Sequence, residues 1–303
     1  MSRSQRDVWR VERGHDDYPD ALHELAETAP AALHGCGDRS ALAGWDAKAA
    51  VTIVGSRRAS AYGIAVAEEL ARLLAAAGIT VVSGMARGID AAAHRGALAA
   101  GGRTVAVLGG GPDVVYPSDE WRLYRRILED GAAISEHPGG ERPAAWSFPA
   151  RNRIMAALAE VTVVVEAAKR SGSLITARLA IERLNRTVGA VPGPVNSWLS
   201  AGPNNLLADG ALVVRDAQDV LDAMLGAGAP GVRGEGPDLE PELRSVLELV
   251  DQGHATCDSI AAASGAPPEE AAVALARLEI LGYLRADAAG RYARSALVPP
   301  EAA

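Results

Sequence analysis

The chain has 303 residues, of which 49% are apolar and 22% charged, and its mean hydropathy is +0.05. These values predict a soluble globular protein with one large domain or two unequal ones, and they exclude a chain that is disordered throughout. The formal net charge of −8 argues against a uniformly basic surface for nucleic acid, although a total says nothing about where the charges lie.

Two cysteines, Cys36 and Cys257, lie in unrelated segments, which excludes a disulfide framework and a zinc site built from four cysteines. The sequence predicts neither a metal nor a cofactor. The N-terminal residues lack the apolar core of a signal peptide, and every apolar run is far shorter than the ~20 residues that cross a bilayer. We therefore expect a cytoplasmic protein that does not engage a membrane.

Residues 1–49 are predicted to form a polar lead-in with one short helix near residues 20–26. Short apolar strands then alternate with helices. The predicted strands cover residues 51–54, 79–82, 104–108, 132–135, 161–165, 187–190 and 211–214. The predicted helices cover residues 64–77, 89–100, 119–129, 152–158 and 174–184. Strands that are apolar throughout are typical of a parallel sheet covered on both faces. Residues 50–225 are therefore predicted to form a doubly wound α/β domain, in which ligands bind at the carboxyl ends of the strands.

The C-terminal part has a different pattern. Residues 226–238 are rich in Gly, Pro and Ala and are predicted to be a flexible linker. Three predicted helices follow at residues 239–250, 257–263 and 268–281, and then a hairpin of residues 283–286 and 291–293. This order is the outline of a winged-helix domain, here residues 239–296.

The loop after the first core strand contains Gly55, Ser56, Arg57 and Arg58. Small residues let a backbone approach a ligand closely, and the start of the next helix offers free N–H groups. Together with two arginines, these groups predict an anion site suited to phosphate, with a plain tight turn as the alternative. The loop has neither the GxGxxG pattern of dinucleotide-binding folds nor the Gly-Lys-Ser/Thr of a Walker A loop.

The loop after the second core strand runs from Ser83 to Arg87, and Asp90 and His94 follow on one face of a helix. An acid–base pair of these two side chains is one interpretation. The other is that Asp90 complements the helix dipole and has His94 as its partner.

Two further loops contain donors beside small or aromatic residues. Phe148 precedes three polar residues at a predicted helix start: Arg151, Asn152 and Arg153. Donors beside a stacking ring suit single-stranded nucleic acid, and helix capping is the alternative. The other loop follows the fifth core strand and offers a second site for an oxyanion at a helix start. It contains Lys169, Arg170, Ser171, Gly172 and Ser173.

The order of these motifs carries a resemblance to a known family. From Val54 to Ala211 the stretches are VGSRRASAYG, SGMARGIDAAAHRGAL, TVAVLGGGPDVVYP, SEHPGG, FPARNRIMAAL, VVVEAAKRSGSLITARLA and VPGPVNSWLSAGPNNLLADGA. Across residues 16–215 the chain resembles the bacterial DNA-processing protein A family (DprA, also called Smf).

The resemblance implies an extended Rossmann-like core that binds single-stranded DNA without strong sequence preference. It also implies a homodimer, a role in loading the recombinase RecA onto strands guarded by single-strand binding protein, and action in natural transformation and recombination. No catalytic reaction is expected. In this chain Arg57 and Arg58 would contact phosphates and Phe148 would stack on a base. The same pocket would be lined by Arg87, Arg151, Asn152 and Arg153, with Lys169 and Arg170 near the second anion loop.

Two features depart from the family. Only 17 residues precede Tyr18, so we expect the helical N-terminal domain of many members to be missing. From Asp238 onward there are 5 basic and 11 acidic residues, and the predicted recognition helix has Arg277 against three glutamates. Reading a major groove requires the opposite balance, so we expect this domain to contact protein or support a dimer.

Two other functions stay open at this stage. An enzyme that cleaves nucleotide ribosides is the main alternative, with Glu166, Asp90 and His94 as candidate residues, although the PGGxGTxxE motif of such enzymes is absent. A transcription regulator built on the C-terminal domain is the third interpretation. It requires that residues 238–303 bind duplex DNA tightly.

The charges are unevenly distributed along the chain, which qualifies the argument from the net charge of −8 against a nucleic-acid ligand. Residues 1–50 contain 6 basic and 9 acidic residues, and residues 201–303 contain 7 and 16. Residues 51–200 contain 17 basic and 13 acidic residues, so the predicted core is the basic part of the chain. The sequence therefore predicts a local basic pocket in an acidic protein, suited to exposed single strands.

Overall fold

A computed structural model describes residues 8–226, 234–235, 237, 239–286, 290–294 and 297–298. The chain divides into two compact units, residues 1–231 and 232–303. The predicted linker, residues 226–238, lies largely outside the described residues.

The first unit is built on one nine-stranded sheet with the order β1-β2-β6-β5-β4-β3-β7-β8-β9. Neighbouring strands from β3 to β9 pair in parallel, whereas β2 pairs antiparallel with β6 and with β1. The strands are β1 (Trp9–Glu12), β2 (Ala32–Gly37), β3 (Ala50–Val54), β4 (Thr80–Ser83), β5 (Thr104–Val107), β6 (Ala132–Ser135), β7 (Val161–Val164), β8 (Thr187–Ala190) and β9 (Leu212–Val213). The predicted doubly wound, mostly parallel α/β fold is confirmed.

Helices connect the parallel strands and cover the sheet. They are α1 (Ala61–Ala76), α2 (Ile89–Ala99), α3 (Trp121–Asp130), α4 (Ser147–Ala157), α5 (Ser173–Leu184), α6 (Ala201–Ala208) and α7 (Ala217–Leu225). Short 3₁₀ helices cover Asp20–Thr28, Arg39–Leu42, Ala47–Ala49 and Ser118–Glu120. Every residue of β3 to β7 is buried, which explains why these strands have no alternating polar face; polar residues within them, such as Thr52, Ser83 and Thr104, bury their hydroxyls in hydrogen bonds to backbone carbonyls.

The strand order reverses at β3, because β4 lies on one side of it and β7 on the other. In open α/β sheets this reversal leaves a crevice at the carboxyl ends of the strands. We call this side of the sheet the carboxyl edge. It is where the loops singled out in the sequence lie.

The short helix predicted in the lead-in is present as the 3₁₀ helix Asp20–Thr28, but β1 and β2, which extend the sheet at β6, were not predicted. Only Val11 of β1 is buried, and β2 contains two glycines, so neither strand has a strong sequence pattern. Gly35 is required by packing: a Cβ at this position would lie 2.2 Å from the ring of Trp9. The pairing of β2 with β6, about 100 residues away, supplies the stability that local sequence does not.

Other boundaries also differ from prediction. Helix α4 begins at Ser147, five residues before the predicted start at Asn152. Helices α6 and α7 were not predicted. The first contains Gly202 and Pro203 in its first turn, residues that are typical of loops.

The second unit contains α8 (Pro241–Asp251), α9 (Cys257–Ser264) and α10 (Pro268–Ile280), which pack around a core that includes Leu247, Ile260 and Leu275. Its strands are β10 (Gly234–Glu235), β11 (Leu284–Ala286), β12 (Tyr292–Arg294) and β13 (Leu297–Val298). Strands β11 and β12 pair antiparallel, and β10 pairs in parallel with β13. The three helices and the hairpin occur in the predicted order. Their assignment as a winged helix stays a prediction.

Candidate nucleic-acid interface

A cavity of about 610 Å³ opens at the carboxyl edge, where the strand order reverses. Four sequence-predicted loops meet around it, those after β3, β4 and β7 and the one that leads into α4. The predicted residues that line it are Gly55, Ser56, Arg57, Arg58, Phe148, Arg151, Asn152, Ser171, Gly172 and Ser173. A smaller cavity of about 300 Å³ shares Arg57, Arg58, Phe148 and Arg151 and adds Arg87. The structure thus brings eleven of the fifteen predicted residues to one place.

Glycines let the loop after β3 pack directly on the segments that follow β4 and β7. The N–H of Ser56 donates to the carbonyl of Glu166 (2.6 Å), and the N–H of Ile89 donates to the carbonyl of Ser56 (3.2 Å). Gly88 has a φ of +78°, and a Cβ there would lie 2.3 Å from the Ser56 carbonyl oxygen. These contacts fix the backbone that carries Arg57.

Arg57 and Arg58 are exposed at the mouth of the cavity. The guanidinium carbon of Arg57 lies 5.2 Å from the centre of the Phe148 ring, a distance suited to a cation–π contact. The ring of Tyr116 lies 5.3 Å from that of Phe148 at an angle of 38°. Within residues 8–226 neither arginine forms an ion pair with a carboxylate. Two unneutralised cations thus border a pair of aromatic rings.

The start of α1 is occupied by the protein's own carboxylate. Glu166, which is buried, accepts hydrogen bonds from the N–H (2.8 Å) and the hydroxyl (2.6 Å) of Ser60, and the Ser60 hydroxyl caps the N–H of Gly63 (3.0 Å). Two N–H groups at this helix start, those of Ser60 and Gly63, are therefore already satisfied within the protein, and a role for the remaining ones in binding an anion stays a prediction. Positive charge at this loop comes from Arg57 and Arg58. The contacts of Glu166 also give it a structural role that the enzyme interpretation did not include.

Arg151 is not a surface arginine, as it is only 5% exposed. Its guanidinium donates to the carbonyl of Gly84 (2.7 Å), after β4, and to that of Val107, in β5. Asp90, also 5% exposed, accepts from the N–H of Ala86 (3.3 Å). Burial raises the pKa of Asp90 to about 6 against the opposing effect of Arg151, and burial lowers the pKa of Arg151 to about 10. Arg151 therefore holds strand ends together at the cavity wall while it remains charged.

His94 does not pair with Asp90, so the acid–base pair is not formed, whereas Asp90 does lie in the first turn of α2, where it complements the helix dipole as the other interpretation predicted. Its Nδ1 lies 2.7 Å from the hydroxyl of Thr104, and its Nε2 is buried with no hydrogen-bond partner. Burial lowers the pKa of His94 to about 3, and the nearby Arg151 and Arg95 act in the same direction. The imidazole is thus neutral and buried in the core, and it does not take part in the acid–base pair with Asp90 that the sequence suggested.

Arg87 lines the smaller cavity and is partly neutralised. It forms a two-point salt bridge with Asp119, with nitrogen–oxygen distances of 2.8 and 2.9 Å. The hydrogen bonds between them raise the pKa of Arg87 and lower that of Asp119. Because both side chains are more than half exposed, a phosphate can compete for this arginine.

Another part of the cavity wall is formed by α4 and the start of α5. The side-chain amide of Asn152 donates to the carbonyl of Gly172 (3.1 Å), and the hydroxyls of Ser171 and Ser173 lie 2.8 Å apart. Thr176 also lines the cavity, and its buried hydroxyl has no partner. Hydroxyls and the first N–H groups of a twelve-residue helix together suit an oxyanion.

Four predicted residues do not line either cavity. Ser83 is fully buried, and its hydroxyl donates to the carbonyl of Ile53 (2.6 Å). Arg153 donates to the carboxylate of Glu136 (2.6 and 2.8 Å), which lowers the pKa of that carboxyl. Lys169 and Arg170 are exposed nearby.

Sequence reasoning missed two aromatic residues at this interface. Trp198, 60% exposed, lines the larger cavity, and Tyr116, 49% exposed, lines the smaller one. Both lie in loops that follow parallel strands. This position, which predicts a place at the carboxyl edge, is the sequence feature that could have indicated them. Nothing local distinguished them from aromatic residues of the core.

Over the described ranges, no helix combines the length and the apolar character needed to cross a membrane. The same part of the chain contains no group of three or more His, Cys, Asp or Glu side chains placed to hold a metal ion.

Comparison with solved structures supports the fold. The X-ray structure of DNA processing protein A from Streptococcus pneumoniae matches with a TM-score of 0.66 and 40% identity, over 71% of this chain and 74% of that one. DNA processing protein A from Helicobacter pylori, described as having a unique single-stranded DNA binding mode, matches with a TM-score of 0.64 and 30% identity. That match covers 73% of this chain and 97% of the other.

Sequence comparison gives the family. Protein Smf of Escherichia coli is 38% identical over 282 residues, which cover 89% of this chain and 73% of that protein. A Mycobacterium tuberculosis relative is 46% identical over 239 residues, and the matched region spans 61% of its length and 77% of this chain. The family model described as DNA recombination-mediator protein A matches residues 9–225, which contain the sheet and the whole cavity. The chain therefore belongs to the DNA recombination-mediator protein A (DprA/Smf) family.

Proposed function

We propose that this chain binds single-stranded DNA at the carboxyl edge of its sheet. The observation that carries the proposal is the position of Arg57 and Arg58, exposed and without a carboxylate partner in residues 8–226, beside the rings of Phe148 and Tyr116. The arginines contact phosphates, and the rings stack on bases.

The same arrangement favours a single strand over a duplex. Base faces are free to stack only when they are unpaired, and stacking tolerates every base. The acidic balance of residues 1–50 and 201–303 opposes a long, stiff polyanion, whereas a flexible strand can enter the basic crevice. Trp198 provides a further aromatic surface at the cavity.

In the cell, the bound strand is a substrate for recombination. We propose that the chain protects incoming or exposed strands and helps to load the recombinase RecA onto them, as a homodimer and in competition with single-strand binding protein. Membership of the recombination-mediator family supports this role. The process in which the chain would play this role is natural transformation.

An oligonucleotide titration tests the binding. Oligo-dT and a duplex of equal length are titrated at two salt concentrations with the wild type and the Arg57→Ala/Arg58→Ala variant. We expect oligo-dT to bind more tightly than the duplex, with an affinity that falls with salt by a slope of about −0.7 per neutralised phosphate. We expect the variant to lose at least ~10-fold in affinity for oligo-dT, because two charge-assisted contacts are removed.

The control is Lys48→Ala/Arg103→Ala, which removes the same charge from exposed residues at the opposite edge of the sheet. Equal losses in the two variants would contradict the site, and tighter duplex binding would contradict the proposed ligand. Release of a free base from a nucleoside monophosphate would support the enzyme instead. The recombinase step is measured as RecA filament formation on strands coated with single-strand binding protein, which the wild type should accelerate.

A further inference from the structure

We propose that the single-strand surface continues beyond the cavity onto the first two turns of α3, where Trp121, Arg122 and Arg125 form what we call the α3 platform. This inference rests on the proposed function and extends it. It predicts that the chain contacts more nucleotides than the cavity alone can hold.

The platform is an exposed aromatic ring with two cations close to it. The guanidinium carbons of Arg122 and Arg125 lie 5.5 and 5.9 Å from the centre of the Trp121 ring. Trp121 is 45% exposed and both arginines are exposed, whereas Leu123 and Ile127 turn inward to the core. The ring and the cations are therefore presented to solvent by a helix whose other face is fixed.

The charges of these arginines are not neutralised. Within residues 8–226 neither Arg122 nor Arg125 forms an ion pair. Other arginines do pair with the two carboxylates before α3: Arg87 lies 2.8 Å from Asp119, and Arg95, which also pairs with Glu68, lies 4.0 Å from Glu120. The carboxylates that precede α3 thus face other partners, which leaves the guanidinium groups of the platform available to phosphates.

The platform is continuous with the cavity. Helix α3 connects β5 to β6, so it begins at the carboxyl edge. Tyr116 lines the smaller cavity and packs on Phe148, and Trp121 follows it by five residues, a reach of at most ~18 Å. The salt bridge from Asp119 to Arg87 ties the intervening segment to the wall of that cavity. A strand that leaves the cavity past Tyr116 therefore meets Trp121 next.

The chemistry of the platform selects a single strand. An exposed indole ring with two guanidinium groups close to it offers stacking to one base and charge-assisted hydrogen bonds to the neighbouring phosphates. A duplex would present its phosphates alone and leave the ring unused.

Oligonucleotides of two lengths separate the platform from the cavity. A strand advances by at least ~3.4 Å per nucleotide, so oligo-dT of about three nucleotides stays within the cavity of about 610 Å³, whereas one of about twenty also reaches α3. We expect Arg122→Glu/Arg125→Glu to bind the short strand as well as its control does but to lose at least ~10-fold for the long strand. The salt slope for the long strand should fall by about 1.4, for two lost phosphate contacts at ~0.7 each.

The matched control is Lys48→Glu/Arg103→Glu, which makes the same change of charge at the opposite edge of the sheet. Trp121→Ala should weaken the long strand alone, and Trp121→Tyr should restore its binding because a ring is again present. Equal affinity of both double variants for the long strand, or equal affinity of Trp121→Ala and the wild type, would overturn the platform. If the wild type binds neither strand, the proposed function itself fails.

Discussion

Two arginines at the same interface are expected to respond to substitution in opposite ways. Arg57 is exposed above Phe148, whereas Arg151 is 5% exposed and bonds two carbonyls at the ends of neighbouring strands. We compare Arg57→Ala with Arg151→Met, which keeps most of the side-chain volume but removes the guanidinium group.

The magnitudes follow from these contacts. Arg151→Met removes hydrogen bonds from a charged donor, worth ~1.5–3 kcal/mol each, and leaves the carboxylate of Asp90 buried without its nearby cation. Breaking a buried charge arrangement typically costs ~3–5 kcal/mol, and we expect the free energy of unfolding to fall by that amount. Arg57→Ala touches only solvent-exposed contacts, so its free energy of unfolding should change by less than ~0.5 kcal/mol. Its affinity for oligo-dT should fall by ~1–3 kcal/mol.

Urea unfolding followed by tryptophan fluorescence gives the stability, and a change in midpoint at constant slope identifies a true change in stability. Affinity for oligo-dT is measured at urea-free conditions where each variant is folded. The reasoning is refuted if Arg151→Met unfolds at the wild-type midpoint. It is also refuted if Arg57→Ala loses stability while its affinity is unchanged.

Three further substitutions test the loops. Gly88→Ala combines a φ of +78° with a methyl group 2.3 Å from the Ser56 carbonyl oxygen, so we expect its free energy of unfolding to fall by ~2–4 kcal/mol and its oligo-dT binding to weaken. The control, Gly78→Ala, has a φ of +80° in open space, so its free energy of unfolding should fall by only ~1–2 kcal/mol and its binding should not change. Glu166→Gln should lower the free energy of unfolding by ~1 kcal/mol, because its hydrogen bonds to Ser60 at the start of α1 weaken. The same substitution should raise the affinity for oligo-dT because it removes a negative charge near the site, and a lower affinity would contradict this expectation. Folding raises the pKa of Asp90 from 3.8 to about 6, so between these pH values the folded chain binds a proton that the unfolded chain does not, and it loses stability as the pH rises through them. Asp90→Asn cannot bind this proton, so its free energy of unfolding relative to the wild type should increase from about pH 4 to pH 7. Denaturant titrations that show a flat or falling difference would refute this expectation.

Local sequence was enough to predict the sheet and the position of the site. Strands that are buried on both faces are apolar at most positions, and such runs separated by helices have few arrangements other than a parallel sheet. The polar and glycine-rich loops then fall at the carboxyl ends of the strands. Their order along the chain also carried the family resemblance.

Contacts between distant parts of the chain determined the rest. β2 pairs with β6 about 100 residues later, and Glu166 caps a helix that begins 105 residues before it. No local pattern contains such a partner, because the free energy of these contacts comes from burial and from hydrogen bonds formed only in the folded state.

The arginines also show which features follow from the sequence and which depend on the tertiary structure. The sequence by itself determined that cations, hydroxyls and the ring of Phe148 collect at one edge of the sheet in an otherwise acidic chain. Only the tertiary structure decided which cations remain available. Arg151 is enclosed among backbone carbonyls and Arg153 is paired with Glu136, whereas Arg57 and Arg58 face the cavity. The physical reason is that a side chain's charge is a property of its residue type, but its solvent exposure and its partner depend on what the fold packs against it.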